Sequence, residues 1–232
     1  MPATEFVWLT ARETSSTSQR RIDAERAVSV QNEWFSRTGP GCHTPGATVA
    51  SGVALFQQIE DAALYLITGR SASIEQYQQW QRSDEATSIT TSLESHFIRE
   101  KTVSILVEDD GSAIFTSTEV VANTPLMESP VMSVARCTVA APDRSRFAEN
   151  WDSVRGLLEA FAQPHSVKGV WRIREDQGED NTTSDEEFVM LCGWPSVERH
   201  MEFSTREEFQ RYSTALKERL KGADIKHYRR VL

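Results

Sequence analysis

The sequence has little that points to metal, disulfide or membrane chemistry. It holds three cysteines, Cys42, Cys137 and Cys192, an odd number at wide spacing. They form no CxxC pair and no zinc-type spacing, so buried free thiols in a reducing compartment are expected. The five histidines, at positions 43, 96, 165, 200 and 227, make no HxH or HxxxH set, and no metal site is expected. No apolar run approaches the roughly 18–20 residues of a membrane span. Met1–Thr10 lacks the basic start and apolar stretch of a secretory signal. A cytoplasmic chain without a membrane partner is the expectation. Positive charge is in deficit: the net charge is -9. A nucleic-acid partner is therefore not expected, because phosphate binding needs a basic face. The basic residues that do cluster, from Lys217 to Arg230, read as a solvated helix and strand end. GxSxG, Walker-A and GxGxxG motifs are all missing. Gly39-Pro40-Gly41-Cys42-His43 bears glycine, but in a long loop rather than between a strand and a helix.

What is present is a repeat. Ser196-Val197-Glu198-Arg199-His200 echoes Ser73-Ile74-Glu75-Gln76-Tyr77 at a distance of 123 positions. At the same offset Phe203 falls on Trp80, Phe209 on Ala86, Tyr212 on Ile89, Leu216 on Leu93 and Leu220 on Phe97. Apolar positions are kept and polar ones have drifted, which preserves a core and frees one copy to carry function. A duplicated unit sets the architecture before any local motif does. The expected boundaries are 1–108 for the first unit, 109–130 for a connector and 131–232 for the second.

The second copy reads as follows. Val131–Ala140 is a strand, and Pro142-Asp143 opens a helix. Its stripe Phe147, Trp151, Val154, Leu157, Leu158 and Phe161 ends at Gln163-Pro164. Val167–Arg174 alternates as a strand, and Glu175–Glu187 is an acidic loop. Phe188–Trp194 returns as a strand, stopped by Pro195. A short helix covers Ser196–Met201. Ser204 and Glu207 have capping-box spacing ahead of a helix marked by Phe209, Tyr212, Leu216 and Leu220. Ile225–Val231 closes the copy. The order is β-α-β-β-α-β, the ferredoxin-like unit. The first copy follows the same plan: strand Phe6–Thr10, helix Ile22–Phe35, hairpin Val53–Thr68, helices Ser73–Trp80 and Ser83–Phe97, strand Thr102–Glu108. The fold expected is α+β: two ferredoxin-like units in tandem, forming a pseudo-dimeric barrel as monomer or homodimer, with a cavity between open sheet faces.

The β-α-β-β-α-β order, the strand ending Gly193-Trp194 and the helix sequence Ser196–His200 resemble the dimeric α+β barrel superfamily. Within it, the antibiotic-biosynthesis-monooxygenase type is the nearest in kind. The resemblance rests mainly on Val131–Val231; the first half joins it through the repeat. It implies an enzyme without cofactor that acts on a hydrophobic secondary metabolite, polyketide- or terpenoid-like, as a tailoring oxygenase. A redox-neutral cyclase, pericyclase, isomerase or decarboxylase is the alternative, and a non-catalytic binding or stress-response barrel is a third reading. The fold alone does not choose between them.

Candidate residues follow from residue type and place. His200, on the short helix, and His227, on the last strand, are the candidate bases. If His227 points into a cavity, Arg229 points there as well. Arg136 and Arg172 lie in apolar strands and need a carboxylate or an anionic ligand, such as a phenolate or enolate. Arg172 lies on the face opposite Trp171, so the two should not both line the cavity; Arg136 is taken as the anion holder. Trp171, Trp194, Phe188 and Tyr65 could wall a flat substrate, with Tyr77 standing where the second copy has His200.

Overall fold

The computed structural model describes residues 1–38, 52–108, 124–174 and 185–232. The Gly39–His43 sequence, Cys42 included, and most of the expected connector and acidic loop lie outside the described residues. The chain divides into two compact units, Met1–Thr118 with Tyr228–Leu232, and Glu119–His227.

The first unit contains β1 (Ala3–Thr10), α1 (Thr17–Thr38), β2 (Ala54–Gln58), β3 (Leu64–Ser71), α2 (Ile74–Gln81), α3 (Asp84–Glu94) and β4 (Val103–Glu108). Its strands run antiparallel in the order β4-β1-β3-β2. Tyr228 to Arg230 pair with β2. Side chains alternate along a strand, so Val7 and Leu9 share one face of β1 and pack on the helices with Ala27, Val28, Ile67 and Phe97. Glu5 belongs to that same face. It sits opposite Gly69 on β3 and Leu106 on β4.

The second unit contains β5 (Val131–Ala140), α4 (Arg144–Ala162), β6 (Val167–Trp171), β7 (Asp185–Trp194), α5 (Val197–Phe203), α6 (Glu207–Lys217) and β8 (Leu220–Arg230), the last strand counting here as far as His227. The strand order is β8-β5-β7-β6. Of the expected stripe of α4, Phe147, Trp151, Val154 and Leu158 are buried and pack on Ala135, Cys137, Phe188 and Cys192. The two cysteines in this unit are free and buried. Burial pushes the Cys137 thiol up to about 12, so it stays protonated and unreactive at neutral pH.

The repeat is visible in local chemistry. Ser73 caps α2 by accepting from the Gln76 amide, and Ser196 caps α5 by accepting from the Arg199 amide. Both copies use a serine in extended conformation at the same place.

Several expected boundaries move. Strand β7 begins at Asp185, because Glu186 and Glu187 form ion pairs with strand and helix arginines rather than belonging to a loop. Strand β6 stops at Trp171, and β8 begins at Leu220, so Leu220 is a strand residue. The Ser204–Glu207 capping box does not form. Ser204 ends α5 and its hydroxyl donates to the Met201 carbonyl, while Arg206 holds the N-cap position of α6 without a side-chain bond.

Candidate active site

The first unit contains a cavity of about 560 Å³, a size suited to a small organic molecule. Val7, Ile67, Trp80, Ile89 and Leu93 give it apolar walls, and exposed Thr87, Thr91 and Thr102 lie on its solvent side. It lies on the helix-covered face of the sheet, not on the open face where the sequence reading put the substrate.

The buried carboxylate of Glu5 is part of the lining. Gln31, Tyr77 and Ser104 are among the groups that hold it. Gln31 Nε2 donates to Oε2 at 3.1 Å, while the Tyr77 hydroxyl at 3.1 Å and the Ser104 hydroxyl at 2.9 Å donate to Oε1. Gln81 in turn donates to the Tyr77 oxygen at 2.7 Å. Each donor comes from a different element, so the carboxylate is fixed from α1, α2 and β4 at once. Gly69 makes this possible. A Cβ there would stand 2.4 Å from Gln31 Nε2, in the space the glutamine crosses to reach Glu5.

The equivalent place in the second unit follows from the register. The offset of 123 carries Gly69 to Cys192, whose partner on β5 is Ser133. Ser133 therefore stands where Glu5 stands. The same offset carries Tyr77 to His200 and Ser104 to His227. Here the structure brings together three of the residues expected from sequence. His200 Nδ1 and His227 Nε2 are 2.7 Å apart. Trp194 lies flat against His200, with ring centroids 4.6 Å apart and 14° between planes. Its indole N–H donates to Ser133 at 2.9 Å. At this separation one imidazole donates and the other accepts.

Burial, and next the neighbouring His227, lower the His200 pKa from 6.5 to about 4. A histidine with a depressed folded pKa binds its proton more weakly folded than unfolded. Its contribution is intact above the unfolded value, is lost as pH falls from about 6.5 to about 4, and changes no further below that. The span corresponds to at most about 3 kcal/mol, less to the extent that water reaches the ring. Urea midpoints of the parent and His200→Gln should therefore diverge between pH 7 and pH 5 in steepness of decline. Parallel declines would show that His200 is not the group responsible.

The remaining expected residues are placed as follows. Arg136 pairs with Glu187, which also holds Arg172 at 3.3 Å. Both arginines thus have a carboxylate partner. Trp171 and Phe188 pack edge to face at 4.8 Å in the core of the second unit. Tyr65 packs on Phe97 at 5.7 Å in the first core, and its oxygen accepts from Gln57. Arg229 is exposed and donates to the Gln57 side-chain Oε1 at 3.0 Å, although His227, two positions before it, is buried. Among the expected residues, Tyr77 touches Glu5. The sequence reading missed Glu5, Gln31, Ser104 and Trp80. Their signal was faint: one acidic residue ahead of an apolar strand, and one amide in the buried stripe of α1. Among the described residues, no group of three or more His, Cys, Asp or Glu is placed to hold a metal ion. No helix among them is long and apolar enough to cross a membrane.

No family model matches the sequence, and no curated relative matches it. Solved structures do match. An anthrone oxidase-like protein aligns over 100% of this chain and 92% of its own, with a TM-score of 0.62 at 10% identity. A candidate chlorite dismutase aligns over 100% and 95%, at 0.56 and 12%. A candidate monooxygenase from Lactobacillus acidophilus NCFM aligns over 99% and 93%, at 0.55 and 11%. At such identities the likeness is one of fold. The chain shares its fold with these proteins and carries two ferredoxin-like units in tandem.

Proposed function

We propose that the chain is an enzyme that needs no cofactor and acts on a hydrophobic secondary metabolite, polyketide- or terpenoid-like, as a tailoring oxygenase. The observation that carries this reading is the first-unit cavity with the Glu5 carboxylate in its lining. Two solved neighbours, one named a monooxygenase and one anthrone oxidase-like, give it further support.

In this reading the apolar walls hold the substrate, and Glu5 takes a proton from an acidic C–H, enol or phenol. Gln31, Tyr77 and Ser104 keep the carboxylate aimed while the proton moves. The substrate carbanion then reduces dioxygen and forms a C–O bond. Glu5 returns its proton to the peroxide oxygen, giving a hydroperoxide. Loss of water converts the former CH₂ carbon to a carbonyl and breaks the O–O bond. One dioxygen enters, one oxygen stays in the product and the other leaves as water. Glu5 ends as it began.

Metabolite profiling with and without the gene tests the reaction class. The expected precursor is lighter than the lost product by one oxygen less two hydrogens. An accumulated isomer of the lost product would replace this reading with cyclisation or isomerisation, and a precursor heavier by carbon dioxide would replace it with decarboxylation. An unchanged profile under conditions of expression would favour a binding protein.

A further inference from the structure

The two copies differ in the side chains at this place. In the first unit Ala86 and Ile89 line the cavity. At the offset of 123 the second unit has Phe209 and Tyr212 on the matching helix. Those rings pack inward against the second core. Phe203 lies 5.5 Å from Phe209 and 5.4 Å from Tyr212, and the Tyr212 hydroxyl donates to Met190 Sδ at 3.6 Å. Phe203 and Met190 are the counterparts of Trp80 and Ile67, which wall the first cavity. The space that is hollow in one copy is thus lined in the other by two additional aromatic rings.

We propose that Ala86 and Ile89 set the size of the ligand in the first unit, and that the second unit has closed the corresponding site with its own Phe209 and Tyr212. The proposal rests on placing the substrate in the first-unit cavity. It adds a stoichiometry, one ligand per chain, and a ligand class. Two added aromatic rings line the corresponding place in the second unit, and the ligand class assigned to the first is a flat molecule of about two fused rings. A hydroxyl or N–H on it would donate to Glu5 as the Trp194 indole donates to Ser133. The second copy also shows that this fold accepts Phe and Tyr at these helix positions.

The test is a fluorescence titration of the full purified chain with 2-naphthol, with stoichiometry from equilibrium dialysis. The parent should bind one 2-naphthol per chain. The double variant Ala86→Phe with Ile89→Tyr should bind at least tenfold more weakly while keeping its circular dichroism and melting behaviour. Ile89→Tyr alone serves if the double variant does not fold. Phe209→Ala with Tyr212→Ile should raise the stoichiometry to two, with Phe209→Ala alone as the milder opening. Unchanged binding in the filled variants, or two sites in the parent, would overturn the proposal. A parent that does not bind 2-naphthol would overturn the ligand class. None of these outcomes depends on turnover, so they are separable from a failure of the oxygenase reading.

Discussion

Replacing Glu5 by Gln is expected to lower product formation by at least about a hundredfold, the usual lower bound for removing a positioned general base. The substitution keeps the shape of the side chain and one oxygen that can accept a hydrogen bond. It removes the second acceptor, so one of Gln31, Tyr77 and Ser104 loses its partner. The fold should survive, since two of three bonds can be kept and the apolar core of this unit is untouched. The measurement is product recovered when the variant gene restores a strain that lacks it, with a melting curve of the purified variant beside it. The same measurement on His200→Gln and His227→Gln decides between the two polar clusters. Loss of product only in the histidine variants would move the chemistry to the second unit. Loss in Glu5→Gln alone would fix it in the first. Full product from a folded Glu5→Gln would end the role given to this carboxylate.

Trp194→Ala is expected to be the most damaging single truncation described here, at about 3–5 kcal/mol. Trp194 is fully buried. Its ring faces His200, lies 6.3 Å from Phe161, and its N–H satisfies the buried Ser133 hydroxyl. Truncation would leave a void, strip one face of His200 and leave Ser133 without that donor, so three costs add. A typical domain has about 5–15 kcal/mol in all, and such a loss should be plain in a urea transition. Trp194→Phe keeps most of the apolar contact and loses the N–H, so its cost should be under half as large. A drop below about 1 kcal/mol for Trp194→Ala would mean that the second unit collapses onto the gap without strain.

The repeat was legible because apolar positions in a duplicated core are constrained to stay apolar. The 123-residue offset survived in Leu93 and Leu216 and in the two capping serines. Element types were legible for a similar reason: the buried stripe of α4 repeats at helical spacing, and the strands alternate. Boundaries were less so. Glu186 and Glu187 read as loop because of their charge, yet ion pairs with Arg144 and Arg136 hold them in β7.

What the sequence by itself determined is the order of elements, their doubling and the residues that fill each core, since periodicity and turn chemistry act locally. The meeting of His200 with His227, and of Glu5 with Tyr77, Gln31 and Ser104, was decided only by tertiary structure. Those partners are 27, 72, 26 and 99 positions apart, and only strand register and helix placement bring them within hydrogen-bond reach. The cavity of the first unit was decided there too. Ala86 and Ile89 come from α3, and they line it only because helix placement sets them beside Val7, Ile67 and Trp80.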